Sequence, residues 1–238
     1  MNQIKQMFEL QQKLNDATNG IIWTEGATKD GRHISWFRCI YMEAAEAIDS
    51  FNWKHWKDIE GQPDLDNAKV ELVDIWHFIM SEAIHFGDTR FAEAYENMEP
   101  EREINPELMV EILEQMVAVA ASASIDVDKA QNALYEVTGI FFKALTHMGM
   151  DVPELYTRYI VKNQLNTFRQ DHGYKDGSYI KIWGDVEDNV VAFNIMDEHP
   201  SLTPEQLYPS LRHGTRSDFS DGTIICAGTD DRHLYWRI

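Results

Sequence analysis

The chain has 238 residues, which is enough to bury a sizeable core as one large domain or as one domain with an appendage. Its formal net charge is −19 at pH 7, with 40 acidic against 21 basic side chains, so it repels phosphate backbones and anionic membrane surfaces. Nucleic acid polymers and membranes are therefore poor partners, whereas small anionic ligands are compatible with the chain where a metal ion reverses the local field.

The cysteine content and the N-terminus indicate a cytoplasmic protein. Cys39 and Cys226 are far apart and have no metal-binding spacing, which fits a reducing cytoplasm, with one disulfide as the alternative. Residues 1–14 lack the apolar core of a signal peptide. No run approaches the roughly 20 apolar residues that a membrane-spanning helix needs. We therefore expect a cytoplasmic protein that does not span a membrane.

Helical patterns dominate the chain before about residue 180. Apolar residues recur with helical spacing, and capping signals such as Asn105 followed by Pro106 mark where helices begin. An acidic stretch over residues 87–105 predicts a loop with a short helix. The strongest helices are predicted over about 4–18, 36–57, 67–85, 105–123, 126–147 and 153–170. The sequence therefore predicts an all-α bundle of six or seven helices.

The segment after Gly184 has a different character. It contains no lysine and has ten acidic residues against four arginines. Its apolar stretches 223–226 and 233–236 are compatible with a small β-hairpin. We therefore divide the chain into a helical domain over residues 1–183 and a C-terminal extension over residues 184–238, whose role the sequence does not indicate.

Two acidic pairs lie on predicted helices that are otherwise mostly apolar. Glu43 and Glu46 are on the second helix, and Glu71 and Asp74 are on the third. Side chains three residues apart point the same way from a helix, so two adjacent helices would bring four carboxylates together. One such pair alone is usually part of a solvated face. Here the neighbouring residues are apolar, and burial of four acids without a counter-charge is costly, so a metal ion or a basic partner is required.

The composition around these pairs favours a metal ion. No Lys or Arg lies three or four residues from Glu43 or Glu46 on the same helix. Carboxylate oxygens are hard ligands that suit Mg²⁺ or Mn²⁺, and no Cys or His cluster argues for zinc. The sequence therefore predicts a Mg²⁺ site, for which Mn²⁺ could substitute.

A basic cluster between residues 158 and 181 runs against the overall charge. It has five basic residues and two acids, and its ordinary interpretation is a solvated basic surface. The alternative is a phosphate clamp, because amide and cationic donors at a helix end are followed by a loop with Gly173 and Gly177. The sequence GxxxxGK[ST] does not occur, so a P-loop kinase or ATPase is not expected. The basic residues are Arg158, Lys162, Arg169, Lys175 and Lys181.

Together these motifs resemble those of a known protein family. Glu43-x-x-Glu46, followed after 24 residues by Glu71-x-x-Asp74, resembles the ExxE…ExxD signature of the all-α nucleoside triphosphate pyrophosphohydrolases. More narrowly, the chain resembles the dimeric all-α dUTPases. The further stretches that match are 10–15, 50–57, 74–78 and 162–177. The resemblance covers most of residues 1–183 and implies the all-α fold of that family and a homodimer.

The resemblance also implies an activity. The family hydrolyses dUTP, and generally dUDP, to dUMP, with attack at the β-phosphorus implied. Glu43, Glu46, Glu71 and Asp74 would hold two or three Mg²⁺ ions, and a bridging water would be the nucleophile, with Glu43 or Glu46 as its base. Bound ions lower the pKa of water and neutralise the triphosphate.

Substrate contacts follow from the same resemblance. Gln11 and Asn15 match positions that read the uracil edge, Phe78 would stack on the base, and His77 would approach the sugar. Sugar and phosphate contacts match Asn166, Arg169, Tyr174, Lys175 and Lys181.

Other functions remain open at this point. One alternative is a dCTP/dUTP hydrolase of phage type or a broader nucleoside triphosphate pyrophosphohydrolase. Another is a nucleotide-gated binding protein that regulates a partner. Trp53, His55 and Trp56 lie in a matched stretch, but His55 departs from a Trp expected there, so their contact with the base is not assigned.

Overall fold

The computed structural model describes residues 2–58 and 60–214. The hairpin expected over residues 223–236 lies outside this part of the chain. The chain divides after Tyr159, inside a helix, into two compact units.

The first unit is built from helices, as the sequence predicts. Side chains at the residue before a helix accept a hydrogen bond from its first turn at Asn2, Ser35, Asp64 and Asn105, which satisfies amides that have no partner inside the helix. Short 3₁₀ helices cover Ile21–Glu25, Arg90–Tyr95 and Val127–Lys129. The long helices are α1 (Gln3–Asn19), α2 (Trp36–Asp49), α3 (Leu65–His85), α4 (Pro106–Ile125), α5 (Ala130–His147) and the first turns of α6 (Val152–Asp171). The all-α prediction is confirmed.

The core of this unit lies between α2, α3, α4 and α5 and is rich in aromatic rings. Trp76 of α3 is fully buried and stacks on Phe141 of α5, with ring centres 5.1 Å apart and planes 12° from parallel. Phe142 meets the same indole edge-on at 5.3 Å. Full burial of one such side chain stabilises the fold by about 1.5–3 kcal/mol, so these rings fix α3 against α5.

Helix α2 is shorter than predicted. It ends at Asp49 instead of near residue 57, and Ser50 donates its backbone N–H back to Ala47. The side-chain amide of Asn52 then donates to the carbonyl oxygens of Asp58 and Gly61, at 2.8 and 2.9 Å. These bonds hold residues 52–58 in a loop, because they give the backbone an alternative to helical hydrogen bonds.

Helix α4 corrects one expectation from the sequence. Pro106–Ile125 is long and apolar enough to cross a membrane by length and composition, although the sequence was expected to contain no such run. In the structure this helix packs against α2 and α5 and buries Met109, Ile112 and Met116. Its role in the fold is that of a bundle helix.

The second unit begins within α6 and continues into residues that the family resemblance did not reach. Strands β1 (Ile182–Trp183) and β2 (Val186–Glu187) form an antiparallel hairpin whose turn includes Gly184 at a φ of +66°. Helices α7 (Asp188–Glu198) and α8 (Pro204–Gly214) follow. Neither this hairpin nor these helices were predicted. The hairpin was missed because strands of two residues leave no periodic pattern.

Candidate active site

Helices α2 and α3 run antiparallel and side by side. The end of α2 meets the start of α3, since Asp64 N–H donates to the Ser50 carbonyl at 2.8 Å and the Asn67 amide donates to the Ser50 hydroxyl at 2.8 Å. At the other end, Trp36 near the start of α2 stacks on Phe78 of α3. The positions between these contacts therefore face one another in order, with Glu43 and Glu46 opposite the first half of α3.

This arrangement forms a carboxylate cluster made of Glu43, Glu46 and Glu71. Their ligand oxygens all lie within 4.8 Å of one another, with Glu43 and Glu71 half-buried and Glu46 exposed. Asp74, one turn after Glu71, is half-buried and lies outside this closest group. The structure thus brings together three of the four predicted metal ligands directly and places the fourth one turn away on the same helix.

Phe78 is part of a row of aromatic rings beside the cluster. Its ring is half-buried and lies nearly parallel to that of Trp36, with 6.0 Å between centres and 25° between planes. Trp36 in turn meets Trp23 edge-on at 5.9 Å. One face of Phe78 therefore packs against the buried indole of Trp36.

Gln11, Asn15 and Ser81 form an amide cluster between α1 and α3. Both amides are buried, at 3% and 4% exposure, whereas solvent-facing amides were the ordinary alternative. The Gln11 amide donates to Asn15 Oδ1 at 3.3 Å and to the Ser81 hydroxyl at 3.1 Å, and the Asn15 amide donates to the same hydroxyl at 2.9 Å. Tyr159 places its hydroxyl 3.1 Å from Gln11 Oε1. Both N–H groups of Gln11 are thus engaged, and its orientation is fixed.

His77 is held by its own helix. Its Nδ1 lies 2.9 Å from the Val73 carbonyl oxygen, which can only accept, so Nδ1 carries the proton. The ring is buried and tilts against that of Tyr159, with 4.5 Å between centres. The same tyrosine therefore supports both His77 and Gln11.

Glu82 is a buried acid that was not predicted as a site residue. This acid lies on α3 at 6% exposure, and burial raises the pKa of its carboxyl to about 7. The thiol of Cys39 on α2 also interacts electrostatically with Glu82. The pKa of this thiol is raised to about 11, mainly by burial, then by the charge of Glu43, and to a smaller extent by the charge of Glu82. The pattern that identified Glu71 and Asp74, an acid among apolar neighbours on α3, also applies to Glu82.

The aromatic residues of the loop after α2 lie on the surface. Trp53 and Trp56 are 43% and 64% exposed and meet edge-on at 5.5 Å. His55 packs against Trp56 at 4.9 Å, and the Trp53 indole donates to Asp49 at 3.1 Å. These contacts order the loop, but none of them assigns a base contact to it.

In the second unit, Arg169 forms a buried ion pair with Asp188. Nε and Nη2 donate to the two carboxylate oxygens at 2.8 and 2.7 Å, and the side chains are 8% and 1% exposed. Burial opposes both charges, yet the paired hydrogen bonds and opposite charge outweigh it, so the pKa of Asp188 is lowered and that of Arg169 is raised. Tyr179 also donates to Asp188 at 2.8 Å, and Arg169 Nη1 reaches Asn166 at 3.2 Å.

The other predicted phosphate contacts surround Tyr174 in the same unit. Its half-exposed ring has the Arg169 guanidinium 5.8 Å and the Lys181 ammonium 5.6 Å from its centre, and Lys175 beside it is exposed. The loop depends on Gly173, at a φ of +89°, because a Cβ there would lie 2.0 Å from the Ser178 hydroxyl. Within this unit the structure therefore gathers Asn166, Arg169, Tyr174 and Lys181, as the sequence grouped them.

The fold and these sites define a class of protein: an all-α protein with a carboxylate cluster between two antiparallel helices, next to buried amides and a supported aromatic ring. The sequence model of the dUTPase family matches residues 3–174, which is more than half of the chain. The chain therefore belongs to the all-α dUTPase family, and it hydrolyses dUTP as a dUTP diphosphatase. A search of curated proteins returns no match.

Proposed function

We propose that the chain catalyses Mg²⁺-dependent hydrolysis of dUTP, and also of dUDP, to dUMP. The observation that carries this proposal is the carboxylate cluster, in which Glu43, Glu46 and Glu71 bring ligand oxygens within 4.8 Å of one another. Three carboxylates at such distances repel one another, and hard divalent cations relieve that repulsion. With Asp74 one turn away, the donor set suits Mg²⁺, and Mn²⁺ can replace it.

Bound divalent ions would supply an activated water and would neutralise the phosphates. The chain's own residues do the rest. Glu43 and Glu46 point the same way from α2, so one of them can hold the water and accept its proton. The water oxygen bonds to the β-phosphorus, and the bond from that phosphorus to the α–β bridging oxygen breaks. The products are dUMP and diphosphate from dUTP, or dUMP and phosphate from dUDP.

Base binding is proposed for the amide cluster and Phe78. Because Gln11 and Asn15 are held by Ser81 and Tyr159, they present a fixed hydrogen-bonding edge, and Phe78 presents a ring backed by Trp36. Fixed groups lose little entropy when a ligand binds.

Phosphate and sugar contacts are proposed for the second unit. Asn166, Arg169, Tyr174 and Lys181 lie together there, with Lys175 exposed beside them. The Arg169–Asp188 pair leaves fewer donors on the guanidinium than the sequence implied, so the exposed lysines would supply most of the positive charge towards the phosphates.

A homodimer is also proposed. Helix α4 has only 33% of its apolar window buried within the chain, and Ile125 and Val127 at and just beyond its end are 86% and 83% exposed. Apolar surface of this kind is typical of an interface between copies.

The mechanism is tested by hydrolysis of dUTP in ¹⁸O-labelled water with Mg²⁺. Attack at the β-phosphorus places the label in diphosphate and none in dUMP, and dUDP then gives labelled phosphate. Label in dUMP would mean attack at the α-phosphorus, and full activity in the presence of a chelator would contradict the role of the metal. The exposed-site variant Glu136→Gln serves as the control, because it removes an acid of α5 that has no part in the proposed site or in the proposed α4 interface.

A further inference from the structure

Glu82 is a buried acid that the proposed mechanism does not use. We propose that Glu82 is a base-recognition residue, which meets the polar edge of the pyrimidine held against Phe78 and lets the site accept cytosine as well as uracil. This inference rests on the proposed function, because it takes Phe78 and the amide cluster as the place of the base.

Helix geometry puts Glu82 next to the stacking ring. Phe78 and Glu82 are four residues apart on α3, so their side chains are neighbours on one side of the helix. Glu82 lies one turn further along α3 than Phe78, in the direction of the start of α2, where Trp36 stacks on Phe78. It is eight residues from Asp74, about 12 Å along the helix axis. Its place is therefore at the base end of the site.

The Glu82 carboxyl has no partner in the described part of the chain. No hydrogen bond or ion pair to it is formed by residues 2–58 or 60–214, and desolvation is the sole cause of its raised pKa. Within the same ranges, the buried indole N–H of Trp36 also lacks an acceptor. An unsatisfied buried N–H costs about 1–3 kcal/mol, so the Trp36 indole, together with a carboxyl that has no protein partner one turn from Phe78, favours a polar ligand at this place.

The amide cluster cannot switch between the hydrogen-bonding patterns of uracil and cytosine. The Gln11 amide uses both N–H groups on Asn15 and Ser81, so it is unable to exchange donor and acceptor by turning over. Glu82 follows Ser81 directly in α3, and no hydrogen bond from the described residues fixes the orientation of its carboxyl. The adaptable group of the site is therefore Glu82.

A neutral carboxyl matches either pyrimidine edge. It carries one O–H donor and one carbonyl acceptor. Towards uracil the O–H donates to O4 while the carbonyl accepts from N3–H, which leaves the 2-oxo group of the base to the amide cluster. Towards cytosine the carboxyl turns over, so that the O–H donates to N3 and the carbonyl accepts from the 4-amino group. The raised pKa of Glu82, about 7, keeps a large share of this neutral form near neutral pH.

The test compares kcat/KM for dUTP and dCTP in the wild type, Glu82→Leu and Glu82→Gln, below pH 7 and with Mg²⁺. The wild type should hydrolyse both nucleotides. In Glu82→Leu, kcat/KM should fall roughly tenfold or more for both nucleotides, and the fall should come from a higher KM. The reason is that the loss of a good pair of hydrogen bonds weakens binding by about that factor. Glu82→Gln keeps a donor and an acceptor and should restore most of the loss, whereas the exposed control Glu136→Gln should change nothing.

Thermal unfolding separates recognition from a structural role. Removal of an unpartnered buried carboxyl should leave the Tm of Glu82→Leu equal to or above that of the wild type. A wild type that cleaves dUTP but not dCTP, or a Glu82→Leu variant with unchanged kcat/KM, would overturn this inference and leave the proposed function standing. A fall in Tm of Glu82→Leu that matches its loss of activity would likewise overturn it. Absence of turnover with every nucleotide would instead refute the proposed function.

Discussion

The buried pair between Arg169 and Asp188 gives a quantitative prediction for the second unit. Asp188→Asn keeps the size of the side chain but removes its charge, which leaves the guanidinium of Arg169 buried without compensation. Removing one partner of a buried ion pair typically costs about 3–5 kcal/mol. At roughly 2–4 °C per kcal/mol for a chain of this size, the Tm should fall by roughly 10 °C.

Three further variants calibrate this value. Tyr179→Phe removes only the hydrogen bond from its hydroxyl to Asp188 and should cost about 1 kcal/mol. Asp176→Asn changes an exposed acid of the preceding loop and should leave the Tm close to that of the wild type. The double variant Arg169→Met/Asp188→Leu should recover much of the loss, because well-packed apolar residues often replace a buried pair at no cost.

Thermal unfolding followed by circular dichroism at several pH values is the assay. The pKa of the Asp188 carboxyl is held below its ordinary value by Arg169, so its stabilisation is complete above about pH 4, the pKa range of an unfolded aspartate. The difference in Tm between wild type and Asp188→Asn should therefore stay constant from pH 7 to about 4 and shrink as the pH falls further. If Asp188→Asn had the same Tm as the wild type at pH 7, the ion pair between Arg169 and Asp188 would not stabilise the fold.

Three other predictions concern the active site and assembly. Glu46→Gln and Asp74→Asn should each lower kcat by orders of magnitude and the double variant little further, because ligands of one metal site act as a unit; near-wild-type turnover in Glu46→Gln would contradict this. Sedimentation at micromolar concentration should show a dimer, and a monomer there would count against the proposed assembly. Amide exchange across residues 163–181 should slow with Mg²⁺ and a non-hydrolysable dUTP analogue but not with dUMP, whereas equal protection in all states would mean a preformed phosphate site.

Local signals predicted most of the first unit. Asn105 and Pro106 place an N-cap and a first helical residue next to an apolar pattern, and the structure begins α4 at Pro106. The end of α2 was mispredicted because the amide of Asn52 reaches carbonyl groups six and nine residues away, and no periodic pattern records such bonds. Helix beginnings are therefore easier to predict than loops whose hydrogen bonds come from side chains.

The site was predictable where its geometry is that of one helix or of two adjacent helices. Spacing along α2 and α3 predicted that Glu43, Glu46 and Glu71 would meet, and they lie together in the structure. The partners of Gln11 and Arg169 were not predictable, because Ser81 is 70 residues from Gln11 and Asp188 follows a hairpin of two-residue strands. Contacts across such separations depend on tertiary packing.

The carboxylate cluster is proposed to bind the catalytic ions, and this is tested by Mn²⁺ binding followed by electron paramagnetic resonance. The wild type and the exposed control Glu136→Gln should bind two or three Mn²⁺ ions in the presence of a non-hydrolysable dUTP analogue, and Mg²⁺ should displace them. Glu46→Gln should bind fewer ions and lose turnover in parallel. If Glu46→Gln bound Mn²⁺ as the wild type does, or if the wild type bound none, the carboxylate cluster would not be the metal site.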